Sequence, residues 1–182
     1  MRAMTMEPQI DFRNLEQGDL RLLHQWLNEE QVLRWYSKRP PTIEAVAQKY
    51  LPRIEGLEPT KVYIFSVDGE DAGLVQTYDV MKCPEYARTI GAEVGWAGLD
   101  YFTGETAFRG RGLAPRMIDR FVNEIVFGLL GANACVSGPA VENAKSIRTL
   151  ERAGFTILRT VQVAAGEFEC LMIRRSDAHN AA

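Results

Sequence analysis

Residues 109–114 read Arg-Gly-Arg-Gly-Leu-Ala, and an apolar pattern of helical period begins directly behind them. A glycine-rich turn at a helix start gathers several backbone N–H groups in one small concavity. The helix dipole adds partial positive charge there. Such a turn suits a phosphate or diphosphate, and glycine lets the backbone approach it because no Cβ intervenes. Spacing narrows the ligand. A P-loop places Lys-Ser or Lys-Thr after its last glycine, whereas Leu113 and Ala114 follow Gly112. A Rossmann fingerprint needs Gly or Ala three residues after Gly112, and Pro115 stands there. What is left is the pattern (Gln/Arg)-x-x-Gly-x-(Gly/Ala), filled by Arg109, Gly112 and Ala114. Glycines before helices are common, and an arginine there can simply be solvated, so the surrounding chain has to carry part of the argument.

A chain of 182 residues with 46% apolar content can bury a full core without disulfides. The expected organisation is one domain over residues 8–175, with 1–7 and 176–182 as flexible tails. A net charge of -3 leaves no general basic footprint for nucleic acid. Arg109, Arg111, Arg116 and Arg120 cluster near one helix start, but no stacking aromatics lie between them, so a diphosphate fits better than RNA. Cys83, Cys135 and Cys170 are odd in number and far apart, which reads as free thiols in a reducing compartment. His24 and His179 are the only histidines and lie near opposite ends, so no metal site is expected. No apolar core of a signal peptide and no membrane-length apolar run appears, and a cytoplasmic protein of a bacterium is expected.

Hydrophobic periodicity orders the elements. Gln9 to Leu15 alternates weakly as a strand, and Leu20, Leu23, Trp26 and Leu27 mark a helix. Residues 33–41 read as an aromatic, proline-terminated loop, and Thr42 caps a helix with Val46, Ala47, Tyr50, Leu51 and Ile54 on one face. Strands follow over Lys61 to Val67 and Gly73 to Val80, with a turn at Asp68-Gly69. Residues 81–92 look irregular, and Glu93 to Phe102 reads as a strand whose Gly95 and Gly98 suggest a bulge or a close ligand. A helix from Gly112 carries Met117, Ile118, Phe121, Val122, Ile125, Val126 and Leu129, and Gly131 ends it. Ala132 to Ser137 is a short strand, Asn143 caps a helix that stops at Gly154, and Thr156 to Val163 and Glu167 to Ile173 close the chain as strands. Helices on a mostly antiparallel sheet make an α/β (α+β) domain.

The loop pattern, Leu99-Asp100-Tyr101-Phe102-Thr103, Asn143 and Ala153-Gly154-Phe155 occur in the order that resembles the GNAT superfamily of acyl-CoA N-acyltransferases. That resemblance implies the GNAT fold: about seven strands, mixed but mostly antiparallel, helices on both faces, and a splay between the fourth and fifth strands. It implies acetyl-CoA as cosubstrate and no metal. Gly110, Arg111, Leu113 and Ala114, with Arg109 and Gly112, would take the diphosphate, and Tyr101, Phe102, Thr103 and Asn143 would meet the pantetheine arm. The N-terminal half, with His24-Gln25-Trp26-Leu27-Asn28, Arg34-Trp35-Tyr36, Arg39-Pro40-Pro41-Thr42, Lys49-Tyr50-Leu51-Pro52 and Gly73 to Tyr78, is similar to aminoglycoside 6'-N-acetyltransferases. Siderophore-biosynthesis acyltransferases share much of that arm.

The closer resemblance assigns Asp100 as general base. An ammonium has no lone pair, and a carboxylate beside the thioester can hold it and accept its proton. Backbone N–H groups near Tyr101 and Phe102 would meet the thioester oxygen as it gains charge. Trp35, Tyr36 and Tyr78 could wall a sugar site, since aromatic faces stack on rings and cations. Two positions depart from the pattern. Leu150 stands where the family often has a tyrosine that protonates the thiolate, and the loop near Gly138 lacks the aspartate of the 6' enzymes. Glu142 is a candidate substitute, and Glu93 could add cation recognition. The implied reaction is acetylation of an aminoglycoside amine, the 6'-amine foremost, conferring resistance. The 2'-amine of kasugamycin, siderophore assembly, and a non-catalytic acyl-CoA sensor stay open. A homodimer is compatible with the superfamily, and nothing in the sequence identifies an interface.

Overall fold

Seven strands, β1 (Ile10–Asn14), β2 (Lys61–Val67), β3 (Glu70–Asp79), β4 (Trp96–Thr103), β5 (Ala134–Ser137), β6 (Thr156–Ala164) and β7 (Glu167–Arg175), form one sheet in the computed structural model, in the order β1-β2-β3-β4-β5-β7-β6. The structure describes residues 7–37 and 39–177, so most of the two expected tails, and His179, lie outside the described residues. At the margins Glu7 pairs with Arg116 and the Ser176 N–H donates to the Asn133 carbonyl. Every neighbouring pair is antiparallel except β4 with β5.

The central strands are near-continuous apolar runs because both faces of the sheet are covered. Val62, Ile64 and Leu74 pack with Leu23 and Trp26 of α1 (Leu20–Leu27) and Tyr50 of α3 (Ile43–Ile54). Tyr63, Phe65 and Val75 point the other way, onto Met117, Ile118 and Phe121 of α5 (Leu113–Phe121). A third cluster joins Val80, Ile90, Trp96, Val136 and Leu171. The Thr42 hydroxyl caps α3 by accepting the Ala45 N–H at 3.2 Å, as its sequence position predicts.

Local structure departs from expectation in four places. The first part of the loop expected over 33–41 is helical: a helical turn, α2 (Glu30–Val32), runs into a π-type turn (Leu33–Ser37). The stretch expected to be irregular contains α4 (Pro84–Ile90), where Pro84 starts the helix rather than breaking it, because a first-turn residue needs no N–H partner. The β3–β4 ladder keeps one register from Gly73–Thr103 to Asp79–Ala97, so no bulge interrupts it, and Gly95 (φ 89°) lies just before β4 instead of within it. Beyond Phe121 the helix continues in π-type turns (Val122–Leu129). The wider turn rotates the apolar stripe, and Leu129, expected on the buried side, is 68% exposed.

The parallel β4–β5 ladder is short. It joins Trp96 with Ala134, Ala97 with Cys135 and Gly98 with Val136. Past Gly98, β4 runs on to Thr103 paired only with β3 among the described residues. Across the opening, Ser137 Oγ donates to the Leu99 carbonyl at 2.9 Å.

Candidate functional site

A cleft of about 660 Å³ opens where β4 and β5 part. Asp100 to Thr103 form one wall, and Ser137 to Ala140, Asn143, Ser146 and Thr149 the other. Gly110 and Gly112 of the glycine turn also line it, as do Trp35 and Tyr36.

The turn takes its shape from two left-handed glycines, Gly110 (φ 73°) and Gly112 (φ 72°), a conformation that L side chains rarely adopt. Gly112 is the N-cap of α5, so the first N–H groups of that helix face the cleft end. Arg109 is used internally. Its guanidinium donates to the carbonyls of Thr103 at 3.1 Å and Gly104 at 2.5 Å and pairs with Glu29 at 3.4 Å. It ties the turn to the end of β4 and to the N-terminal arm. Arg111 is exposed and stacks 5.8 Å over the Phe108 ring, outside the cleft lining. The cations lining the cleft besides Arg109 are Arg34, Lys145, Arg148 and Arg152. The last three lie on α6 (Ala144–Arg152), which sequence reasoning had not credited with ligand contact. Asn143 caps α6 through its Oδ1, which accepts the Ser146 N–H at 3.1 Å, and it lines the cleft. Such a cap contributes about 0.5–2 kcal/mol.

Asp100 is half-buried, with its side chain on the α1–α3 side of the sheet. Gln76, its cross-strand partner, donates Nε2 to Asp100 Oδ2 at 2.9 Å. Arg53 donates to Gln76 Oε1 at 3.1 Å and pairs with Glu58 at 2.9 Å. The chain Glu58–Arg53–Gln76–Asp100 therefore fixes the carboxylate's orientation. The Lys49 ammonium sits over the rings of Tyr36 (5.6 Å) and Tyr50 (5.3 Å). Burial holds the Asp100 carboxyl above the usual carboxylate range, against the opposing pull of the Gln76 bond and the Lys49 and Arg53 charges. Because its folded pKa exceeds the unfolded one, Asp100 adds stability at low pH, and that contribution is lost as pH rises through the folded pKa.

The remaining expected residues divide. Trp35 is 38% exposed, and Tyr36 meets Phe102 edge-on at 4.9 Å. Tyr78 packs across Gly98, where a Cβ would come within 2.2 Å of its ring, and it is not part of the cleft lining. Glu93 and Glu142 are exposed and lie outside the lining. Position 142 belongs to a turn that faces solvent, so nearness in sequence to Gly138 does not bring its carboxylate inward. Leu150 is fully buried in the core beside Ile147. Tyr101 presents a hydroxyl to Ser146 Oγ at 2.9 Å, and burial pushes its pKa up to about 12. Among the described residues no cluster of three or more His, Cys, Asp or Glu is placed to hold a metal.

A parallel strand pair thus opens beside a glycine turn at a helix start. Residues 16–163 match the acetyltransferase (GNAT) domain family, and the chain belongs to it. Among individual proteins, it is 26% identical over 159 residues to an aminoglycoside N(6')-acetyltransferase type 1 of Klebsiella pneumoniae, covering 86% of this chain and 79% of that one. It is 23% identical over 154 residues to a spermidine N(1)-acetyltransferase of Vibrio cholerae, covering 82% and 80% respectively. The crystal structure of the aminoglycoside acetyltransferase AAC(6')-Ib with coenzyme A and kanamycin superposes with a TM-score of 0.83 at 24% identity, over 96% of this chain and 99% of that one.

Proposed function

We propose that the protein, as one acetyltransferase domain over residues 8–175, transfers the acetyl group of acetyl-CoA to an amine of an aminoglycoside, the 6'-amine foremost. The observation that carries this reading is the position of Asp100: an oriented carboxylate on β4 just past the end of its pairing with β5, in a cleft that the glycine turn also lines. The relatives that act on aminoglycosides support the acceptor class.

In this reading the N–H groups at Gly110 to Ala114 hold the diphosphate, aided by cations of α6. The cosubstrate's extended arm lies against the open edge of β4 from Leu99 to Thr103, which β5 leaves unpaired. Asp100 binds the acceptor's ammonium, takes its proton and so releases the nitrogen lone pair for attack on the thioester carbonyl. Backbone N–H groups near Tyr101 and Phe102 stabilise the oxygen as it gains negative charge. One such donor is worth about 3–4 kcal/mol of barrier. With no side-chain nucleophile called for, transfer is direct.

The test is release of CoA thiol, followed with a thiol reagent against kanamycin, kasugamycin, spermidine and a hydroxylamine acceptor. Turnover of kanamycin supports the proposal. Turnover of kasugamycin alone moves the target to a 2'-amine, and no turnover with any amine leaves a CoA-binding sensor. The same assay gives the pH profile. Activity falls as pH drops through the Asp100 pKa, and this acid limb lies above the ordinary aspartate value of about 3.9 because burial raises it. An acid limb at or below that value removes Asp100 as the base.

A further inference from the structure

A second carboxylate stands behind the cleft wall at Gly138. Gly138 lines the cleft, and a Cβ built there would come within 2.1 Å of Glu169 Oε2 and 3.0 Å of the Tyr86 hydroxyl. The carboxylate of a β7 residue thus fills the volume that a side chain at position 138 would take. Its position is fixed from two directions. Tyr86, on α4, donates its hydroxyl to Glu169 Oε2 at 3.1 Å. The loop after β5 is laid along β7, with the Cys170 N–H donating to the Pro139 carbonyl at 2.8 Å and Ala140 bridging to Glu169.

Asp100 and Gly138 line the same cleft, and the Glu169 carboxylate stands against Gly138. Tyr36 borders the cleft, and its hydroxyl lies beside that of the wholly buried Tyr50.

We propose that Glu169 is a specificity-determining residue that holds a second ammonium of the acceptor while Asp100 holds the one to be acetylated. The acceptor class is then a molecule with at least two amines. This assignment rests on the acetyl-transfer reading above and deepens it. A carboxylate in place of a neutral side chain contributes a charge-assisted bond in both ground and transition state, so its loss acts on binding more than on turnover.

The experiment titrates kanamycin and spermine into the CoA-loaded protein by calorimetry and measures KM and kcat by thiol release. Glu169→Gln weakens binding of both amines and raises KM by at least about tenfold, with kcat changed less than about threefold and CoA affinity unaltered. In the double variant Glu169→Ala with Gly138→Asp, a carboxylate returns to the same volume from the loop, and much of the affinity recovers. Equal affinity in Glu169→Gln and the unaltered protein overturns the assignment. So does failure of the unaltered protein to bind either amine. No thiol release, with amine binding intact and sensitive to Glu169, overturns acetyl transfer and leaves the ammonium site standing.

Discussion

Asp100→Asn lowers kcat by about 10²- to 10⁴-fold, the usual worth of a positioned general base. Asparagine has the shape of aspartate and keeps a carbonyl oxygen for the Gln76 amide, so the Arg53–Gln76 chain survives the change. What is lost is the capacity to take a proton. The glycine turn at Gly110 and Gly112 is untouched, and CoA affinity measured by calorimetry stays within about twofold of the unaltered chain. Two companion signatures separate lost chemistry from lost structure. The residual activity no longer shows the acid limb, because the titrating group is gone. The thermal midpoint at neutral pH does not fall, because burial disfavours the charged form that the substitution removes. A variant that turns over like the parent takes Asp100 out of the mechanism.

The largest loss of stability is expected at the opposite face of the sheet. Phe121→Ala destabilises the fold by about 3–5 kcal/mol, the range for a buried phenylalanine. Phe121 is wholly buried and meets two rings edge-on, Phe12 at 5.2 Å and Tyr63 at 5.3 Å. Each such pair adds about 0.5–1.5 kcal/mol beyond area burial, which places the variant toward the upper part of that range. Urea unfolding should show a lowered midpoint with an unchanged slope. The folded fraction should keep its kcat, because Tyr63 and its neighbour Val62, opposite Gln76, point to different faces of β2. A destabilisation below about 1 kcal/mol would mean that the α5 face is packed more loosely than its burial indicates.

How far the sequence could be read depended on the range of the interactions involved. The amphipathic stripe of α5, the glycines at its start and the Thr42 and Asn143 caps were legible because each depends on backbone groups within one helical turn. α4 was not, because seven residues opening on a proline give too short a period to detect. The π-type continuation of α5 also escaped, since a stripe drawn at ordinary helical spacing cannot register a change of pitch. The expected bulge in β4 failed for another reason. Gly98 meets the Tyr78 ring in a regular ladder, so its missing side chain serves packing and not a break in register.

The acids show the same division more sharply. Glu142 is four residues from Gly138 in sequence and exposed, whereas Glu169 is far along the chain and lies against it. Arg109 stands in the turn's motif, yet its guanidinium is taken up by Thr103, Gly104 and Glu29. By itself the sequence determined the run of helices and strands, the turn that can receive a diphosphate, and the family. Periodicity and glycine placement act over a few residues and carry their physics with them. Only the tertiary structure decided which acid stands against Gly138, what orients Asp100 and where the sheet opens. Those outcomes depend on strand register and on loops laid across distant strands, where residues meet through the pairing of backbones and not through their order in the chain.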